Sequence, residues 1–195
     1  MRIIDLSLKK AYNKGMTKLE KIFLTIIRMI MIAGTVLSLW FIFSNATATG
    51  PASSQQSTTV TDKVQDVVGA INPSSPIANA TGKEYDFLHN CIRDFGHFAQ
   101  YCLLAMFAYG TYFSFKGEGN WVYTFIPVGA IFLVAATDEY VQSLTPGRGA
   151  QLSDVMVDMI GCVVGFLIAW AVFAIVCVSI TAIRRRKDNV GMQYA

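Results

Sequence analysis

VMVDMIGCVVGFLIAWAVFAIVCVSITAI, residues 155–183, carries a single charged side chain, Asp158. A helix apolar on every face belongs in a membrane or in the core of a large protein, and this chain has only 195 residues. A bilayer core about 30 Å thick needs roughly 20 apolar residues of helix. Three further stretches meet that length. Phe23–Phe43 is broken only by Arg28, Phe95–Phe115 has His97 near its start, and Trp121–Val141 is apolar until Asp138 and Glu139. Composition agrees: 53% of residues are hydrophobic and 15% charged, against about 25% charged in soluble domains. The expected fold is all-α, an integral membrane bundle of four transmembrane helices with a long extracytoplasmic loop after the first.

Orientation follows from the basic residues, which gather on the cytoplasmic side. Arg2, Lys9, Lys10, Lys14, Lys18, Lys21 and Arg28 precede or open the first span. Lys116 lies between spans two and three, and Arg184, Arg185, Arg186 and Lys187 follow span four. Only Lys63, Lys83, Arg93 and Arg148 fall on the other side. The expected localisation is therefore the cell membrane, multi-pass, with both termini cytoplasmic. Residues 1–21 form a basic cytoplasmic segment, 22–183 the transmembrane domain and 184–195 a basic tail. The first span reads as an uncleaved anchor rather than a signal peptide, because its basic lead and apolar run are both too long. Residues 1–21 read equally as a membrane-surface amphipathic segment or as a basic tail. Arg28 is expected to snorkel to the inner boundary. Lys116–Asn120 should join spans two and three as an antiparallel hairpin, with Pro127 a candidate kink.

Between Ser44 and Asn90 the chain is rich in Ser, Thr, Ala, Asn and Gln. Asn45–Thr59 lacks periodicity and is expected to be irregular. Val64, Val67, Val68 and Ile71 recur at helical spacing, which predicts a short surface helix over 61–71. The net charge of +3 is too small to suggest nucleic acid. Four cysteines without a C-x-x-C pair, and two histidines, support neither a zinc site nor a disulfide framework. No cofactor and no metal is expected on that ground.

The ionisable residues cluster at span ends. Arg93, His97 and Tyr101 step by four and share one helix face. Asp138 and Gln142 do the same beside Glu139, as do Asp154 and Asp158, whose face continues through Gly161 and Gly165. At 1.5 Å per residue, Trp121 to Asp138 covers about 26 Å and Lys116 back to His97 about 29 Å. Arg184 back to Asp158 covers about 39 Å, which needs tilt or overhang. Three stretches thus deliver polar side chains to one level on the outer side, where Thr145-Pro146-Gly147-Arg148-Gly149 supplies a turn. Charge in lipid costs roughly 2.5–3.5 kcal/mol on insertion scales and marks functional sites by default. The same charges also fit an ion-pair network that fastens helices, with Arg93 or Arg148 set against Asp138, Glu139, Asp154 or Asp158.

IRDFGHFAQYCLL, residues 92–104, resembles the Arg-x-x-x-His-Phe-x-x-Tyr motif of the VanZ-like family of bacterial integral membrane proteins, through Arg93, His97, Phe98 and Tyr101. TDEYVQSLTPGRGAQLSDVMVDMIGCVVG, residues 137–165, is similar to that family's second motif. The matching positions are Asp138, Glu139, Gln142, Pro146, Gly147, Arg148, Asp154, Asp158, Gly161 and Gly165. The Ser-rich exit from the first span looks alike too, and the resemblance covers residues 22–183. Asp94-Phe95 departs from it, since a basic residue commonly follows the arginine. The resemblance implies a link to low-level resistance to teicoplanin, a lipoglycopeptide antibiotic.

Three functions compete. The first is an envelope protein that binds a lipoglycopeptide or a lipid-linked cell-wall intermediate at the outer leaflet. Its ligand-binding candidates are Arg93, His97, Tyr101, Asp138, Glu139, Gln142, Arg148, Asp154 and Asp158. Paired guanidinium donors suit phosphate or carboxylate, while Tyr101 and Phe98 suit an acyl chain or ring. The second is a membrane-embedded enzyme with His97, Asp138 and Glu139 as catalytic candidates. There His97 would be tuned by Asp94 or Asp138, or the acids would hold a hard cation such as Mg²⁺. The third, a transporter, lacks a repeat or a mid-depth charge. Membrane lipids are the expected surroundings. The Gly161-x-x-x-Gly165 notch fits a neighbouring helix of the same chain or a second copy in a homo-oligomer.

Overall fold

The computed structural model describes residues 18–115 and 125–193. The segment 1–17, the connection Lys116–Asn120 and the start of the third span at Trp121 lie outside the described residues. Five helices form: α1 (Lys18–Ala46), α2 (Gly50–Ile71), α3 (Lys83–Phe115), α4 (Phe125–Leu144) and α5 (Leu152–Gln193). No strand occurs among the described residues, and the fold they make is all-helical. Among the described residues, three stretches are long and apolar enough to cross a membrane: α1, α4 and Leu152–Ile180 of α5. α5 continues past the last apolar residues to Gln193.

The fourth expected span, Phe95–Phe115, lies within α3 but is less apolar than the other three. The reason is its position. α3 is the central helix, packed against α1 on one side and α5 on the other. A helix screened by its neighbours can carry Gln100, Thr111, Ser114 and several tyrosines where a lipid-facing helix cannot. Its inward face is His97, Tyr101, Leu104, Ala105 and Tyr109, all buried and stepping by three or four.

Glycines set both packings. A Cβ on Gly161 would overlap the Phe98 carbonyl oxygen, and one on Gly165 would overlap that of Cys102. The small-residue notch is thus filled by α3 of the same chain. On the other side Gly34 receives the ring of Phe107, and Gly110 the sulfur of Met31. Cys162 adds to the core as a free, buried thiol. Further along, Tyr109 packs on Phe166 at 4.6 Å and Phe113 on Phe173 at 5.0 Å between ring centres.

Burial is inverted relative to a water-soluble domain. Trp40, Leu133, Val172 and Val178 face outward, each more than half exposed, while His97, Asp138, Glu139, Gln142, Asp154 and Asp158 are buried. Apolar exteriors of this extent are rare on soluble monomers. With the apolar helices they make this a membrane protein.

One expectation changes here. Asn45–Thr59 is not irregular: α1 runs to Ala46 and α2 begins at Gly50. Pro51 sits in the first turn of α2, where its missing N–H costs no helical bond. Thr59 and Thr61 donate back to the carbonyls of Gln55 and Ser57, so α2 is polar and shows no apolar stripe over its first half. Tyr85 ties α2 to α3 by donating to Asp62 at 2.8 Å. Arg28 reaches the end of α3. Its Nε and Nη2 donate to the Ser114 carbonyl at 3.0 and 2.7 Å, and its guanidinium lies 4.6 Å over the Phe115 ring. A cation there complements the negative end of α3. Pro127 lies in the first turn of α4 as described, where its missing N–H costs no helical bond.

Candidate functional site

Each polar element arrives by helical spacing. Arg93, His97 and Tyr101 lie on consecutive turns of α3. Asp138, Glu139 and Gln142 close α4, on the face that also buries Ile131 and Ala135. Asp154 and Asp158 open α5. The two last helices are joined by a type II turn: Arg148 N–H donates to the Thr145 carbonyl, Pro146 takes the second position and Gly147 the third, with φ +77°.

These elements meet as the face spacing predicts. Arg93 Nη2 pairs with Asp154 Oδ2 at 3.0 Å. One turn on, His97 Nδ1 lies 3.3 Å from Asp158 Oδ1, with Nε2 3.9 Å from Asp154 Oδ2. One turn further, Tyr101 Oη donates to Asp138 Oδ2 at 3.2 Å. Glu139 Oε2 accepts the Gln151 backbone N–H at 2.8 Å, and Ser153 Oγ donates to Asp154 Oδ1 at 3.2 Å. Arg93, His97, Asp138, Glu139, Asp154 and Asp158 therefore form one cluster.

Three placements differ from expectation. Arg148 pairs with none of the acids; its Nη1 donates to the Asn45 carbonyl at 2.8 Å. Burial, and then the like charge of Arg93, lower the Arg148 pKa from its ordinary value. Tyr101 is fully buried and holds a carboxylate, so it offers no surface to a ligand. Asp94 is exposed; the acids against His97 are Asp158 and Asp154, with Asp138 also within 4.8 Å.

Two recesses flank the cluster. A polar one of about 220 Å³ is lined by Ser53, Ser54 and Ser57 of α2, His89 and Arg93 of α3, and Arg148 and Gln151. Beside it an open groove of about 400 Å³ is lined by Phe41, Val60, Ile92 and Phe95, with His97, Asp138 and Gln142 among its polar walls. Arg93 and Arg148 belong to both. Sequence reasoning missed Asn45, His89 and the serines of α2. The spacing of Ser53 and Ser57 by four was the available signal, hidden because periodicity was sought in apolar residues.

Chemically, this arrangement offers two guanidinium groups to an anion, an apolar wall to a chain, and an imidazole among buried carboxylates. A family model described as VanZ/LLP1 matches residues 29–176 of the chain. No curated protein and no solved structure matches it.

Proposed function

The chain belongs to the VanZ/LLP1 family, and from that premise we propose that it is a multi-pass protein of the bacterial cell envelope that binds an anionic amphiphile at the outer leaflet. α3 supplies the fourth span, both termini are cytoplasmic, and the recesses face outward. The ligand is a lipid-linked cell-wall intermediate or a lipoglycopeptide such as teicoplanin, whose capture would contribute to resistance. One observation carries this reading: Arg93 and Arg148 are shared by a polar recess and an apolar groove. A phosphate or carboxylate on a long apolar chain fits that junction. Its anion would take paired guanidinium donors, and its chain would lie along Phe41, Val60, Ile92 and Phe95. An anion would also relieve the repulsion between the two guanidinium groups.

The test is calorimetric titration of the purified protein in lipid nanodiscs with a polyprenyl phosphate and, separately, with teicoplanin. Hydrogen bonds to charged groups are worth about 1.5–3 kcal/mol, so Arg148→Ala should weaken binding by roughly 10- to 100-fold. The uncharged polyprenol should bind no better to wild type than the phosphate does to the variant. Unchanged affinity in Arg148→Ala for both ligands would remove this site from the proposal.

A second reading is a membrane-embedded enzyme acting on a lipid-linked envelope substrate. It is favoured by His97 and Asp138 both lining the groove, where an imidazole can move a proton to or from a bound molecule. Envelope lipids compared by mass spectrometry between wild type and His97→Ala should then differ by accumulation of one species. Identical profiles would leave binding alone.

A further inference from the structure

Within the cluster, among the described residues, four buried oxygen atoms accept no hydrogen bond: Asp138 Oδ1, Glu139 Oε1, Gln142 Oε1 and Asp158 Oδ2. Their residues are at most 5% exposed. Buried acceptors without partners are costly, and here they coincide with unbalanced charge. Asp138, Glu139, Asp154 and Asp158 face Arg93, His97 and Arg148, so the cluster stays negative even with His97 protonated. Arg93 spends Nη2 on Asp154. Tyr101 and Gln151 each satisfy one oxygen of Asp138 and Glu139 and leave the other unmet.

We propose that His97, Asp138 and Asp158, completed by the amide oxygen of Gln142, bind a divalent metal cation of the Mn²⁺ type. One ligand atom from each of the first three lies within 4.8 Å of the others. Ligands bonded at about 2.0–2.2 Å stand roughly 3–4 Å apart, so closure needs little movement. The 3.3 Å between His97 Nδ1 and Asp158 Oδ1 is long for a charge-assisted hydrogen bond. It is the separation of two neighbouring ligands on one cation. Gln142 lies one turn of α4 beyond Asp138, buried, and lines the same groove as His97 and Asp138. Asp154 stands behind Nε2 on the far side of the ring, the placement of an outer carboxylate that orients a metal-bound histidine. Three oxygens with one imidazole suit Mn²⁺ better than soft copper(I), and the groove gives the ion an entry path. The site holds whichever molecule the groove takes, because metal uptake is measured with neither lipid-linked ligand nor drug present.

The experiment strips the full chain of metal with chelator in lipid nanodiscs and titrates it with MnCl₂, reading free Mn²⁺ by electron paramagnetic resonance. Saturable uptake of a single equivalent is expected. Asp158→Asn should weaken it by more than about tenfold, and Gln142→Leu, which leaves every carboxylate in place, by several-fold. Asp62→Asn on α2 should bind as wild type does. Mn²⁺ should also raise the unfolding temperature of wild type and not of Asp158→Asn. If Asp158→Asn does not fold, Gln142→Leu carries the comparison. Absence of saturable uptake by wild type would overturn the proposal and show that the carboxylates share protons instead. So would uptake equal to wild type in both variants.

Discussion

Gly165→Leu is expected to be among the most damaging single substitutions in the chain. A Cβ at that position would overlap the Cys102 carbonyl oxygen and stand 2.9 Å from the Ala105 Cβ. The first obstacle is main chain of the central helix, which no rotamer change can clear. Overpacking a well-filled core costs about 1–3 kcal/mol. Here α3 and α5 must separate, so a loss at or above about 3 kcal/mol is expected. Separation would also pull His97 from Asp158 and Arg93 from Asp154, since those pairs cross the same helix contact. Thermal or denaturant unfolding in detergent, followed by circular dichroism, measures the effect, with Gly165→Ala in between. Gly96 is the control, because a Cβ there meets nothing within 4 Å. Gly96→Ala should change stability by less than about 1 kcal/mol and in the stabilising direction. Equal losses at both positions would show that the notch does not govern the packing.

His97→Leu should cost about 3–5 kcal/mol in metal-free protein, because it removes the hydrogen-bond partner of a fully buried carboxyl group. Asp158 is fully buried, and its hydrogen bond among the described residues is to His97. Taking the imidazole away strands a carboxylate with no donor at either oxygen. Removing both partners, as in His97→Leu with Asp158→Leu, should restore most of the loss, because an apolar pair of similar volume avoids the desolvation. The double-mutant cycle on unfolding free energy reads the coupling directly. Additive losses would mean the two side chains do not act as a pair.

The membrane character and the polar cluster were legible because both rest on spacing. Arg93, His97 and Tyr101 at steps of four had to share one face of α3, which meets α5 through the first two and α4 through the third, and Asp154 and Asp158 had to share one face of α5. Gly161 and Gly165 on that face marked where α5 meets α3. Partner choice was less legible. Two guanidinium groups and four acids leave many pairings open, and only tertiary geometry gives Arg93 to Asp154 and turns Arg148 to the Asn45 carbonyl. α2 was half hidden because its first turns are held by serine and threonine back-bonding, which leaves no hydrophobic periodicity. The apolar length of Phe95–Phe115 marked α3, but not its central place, which depends on glycines in two other helices. The cysteine and histidine counts speak to zinc sites. An oxygen-rich pocket assembled from three helices leaves no such spacing to find.

The junction between α1 and α2 is fastened to the turn before α5 through backbone carbonyls. Gly50 N–H donates to Pro146, Thr145 Oγ1 to Ala46 and Arg148 to Asn45. The partners in each case are roughly a hundred residues apart. Synthesis proceeds from the N-terminus, so the first half of this clasp emerges long before the second exists. The wall of the groove that Asn45 and Arg148 share is therefore finished only once α4 and the turn after it have been made. A chain halted before Thr145 would hold its first two helices with their junction unlatched, and quality-control proteases would meet that open seam first.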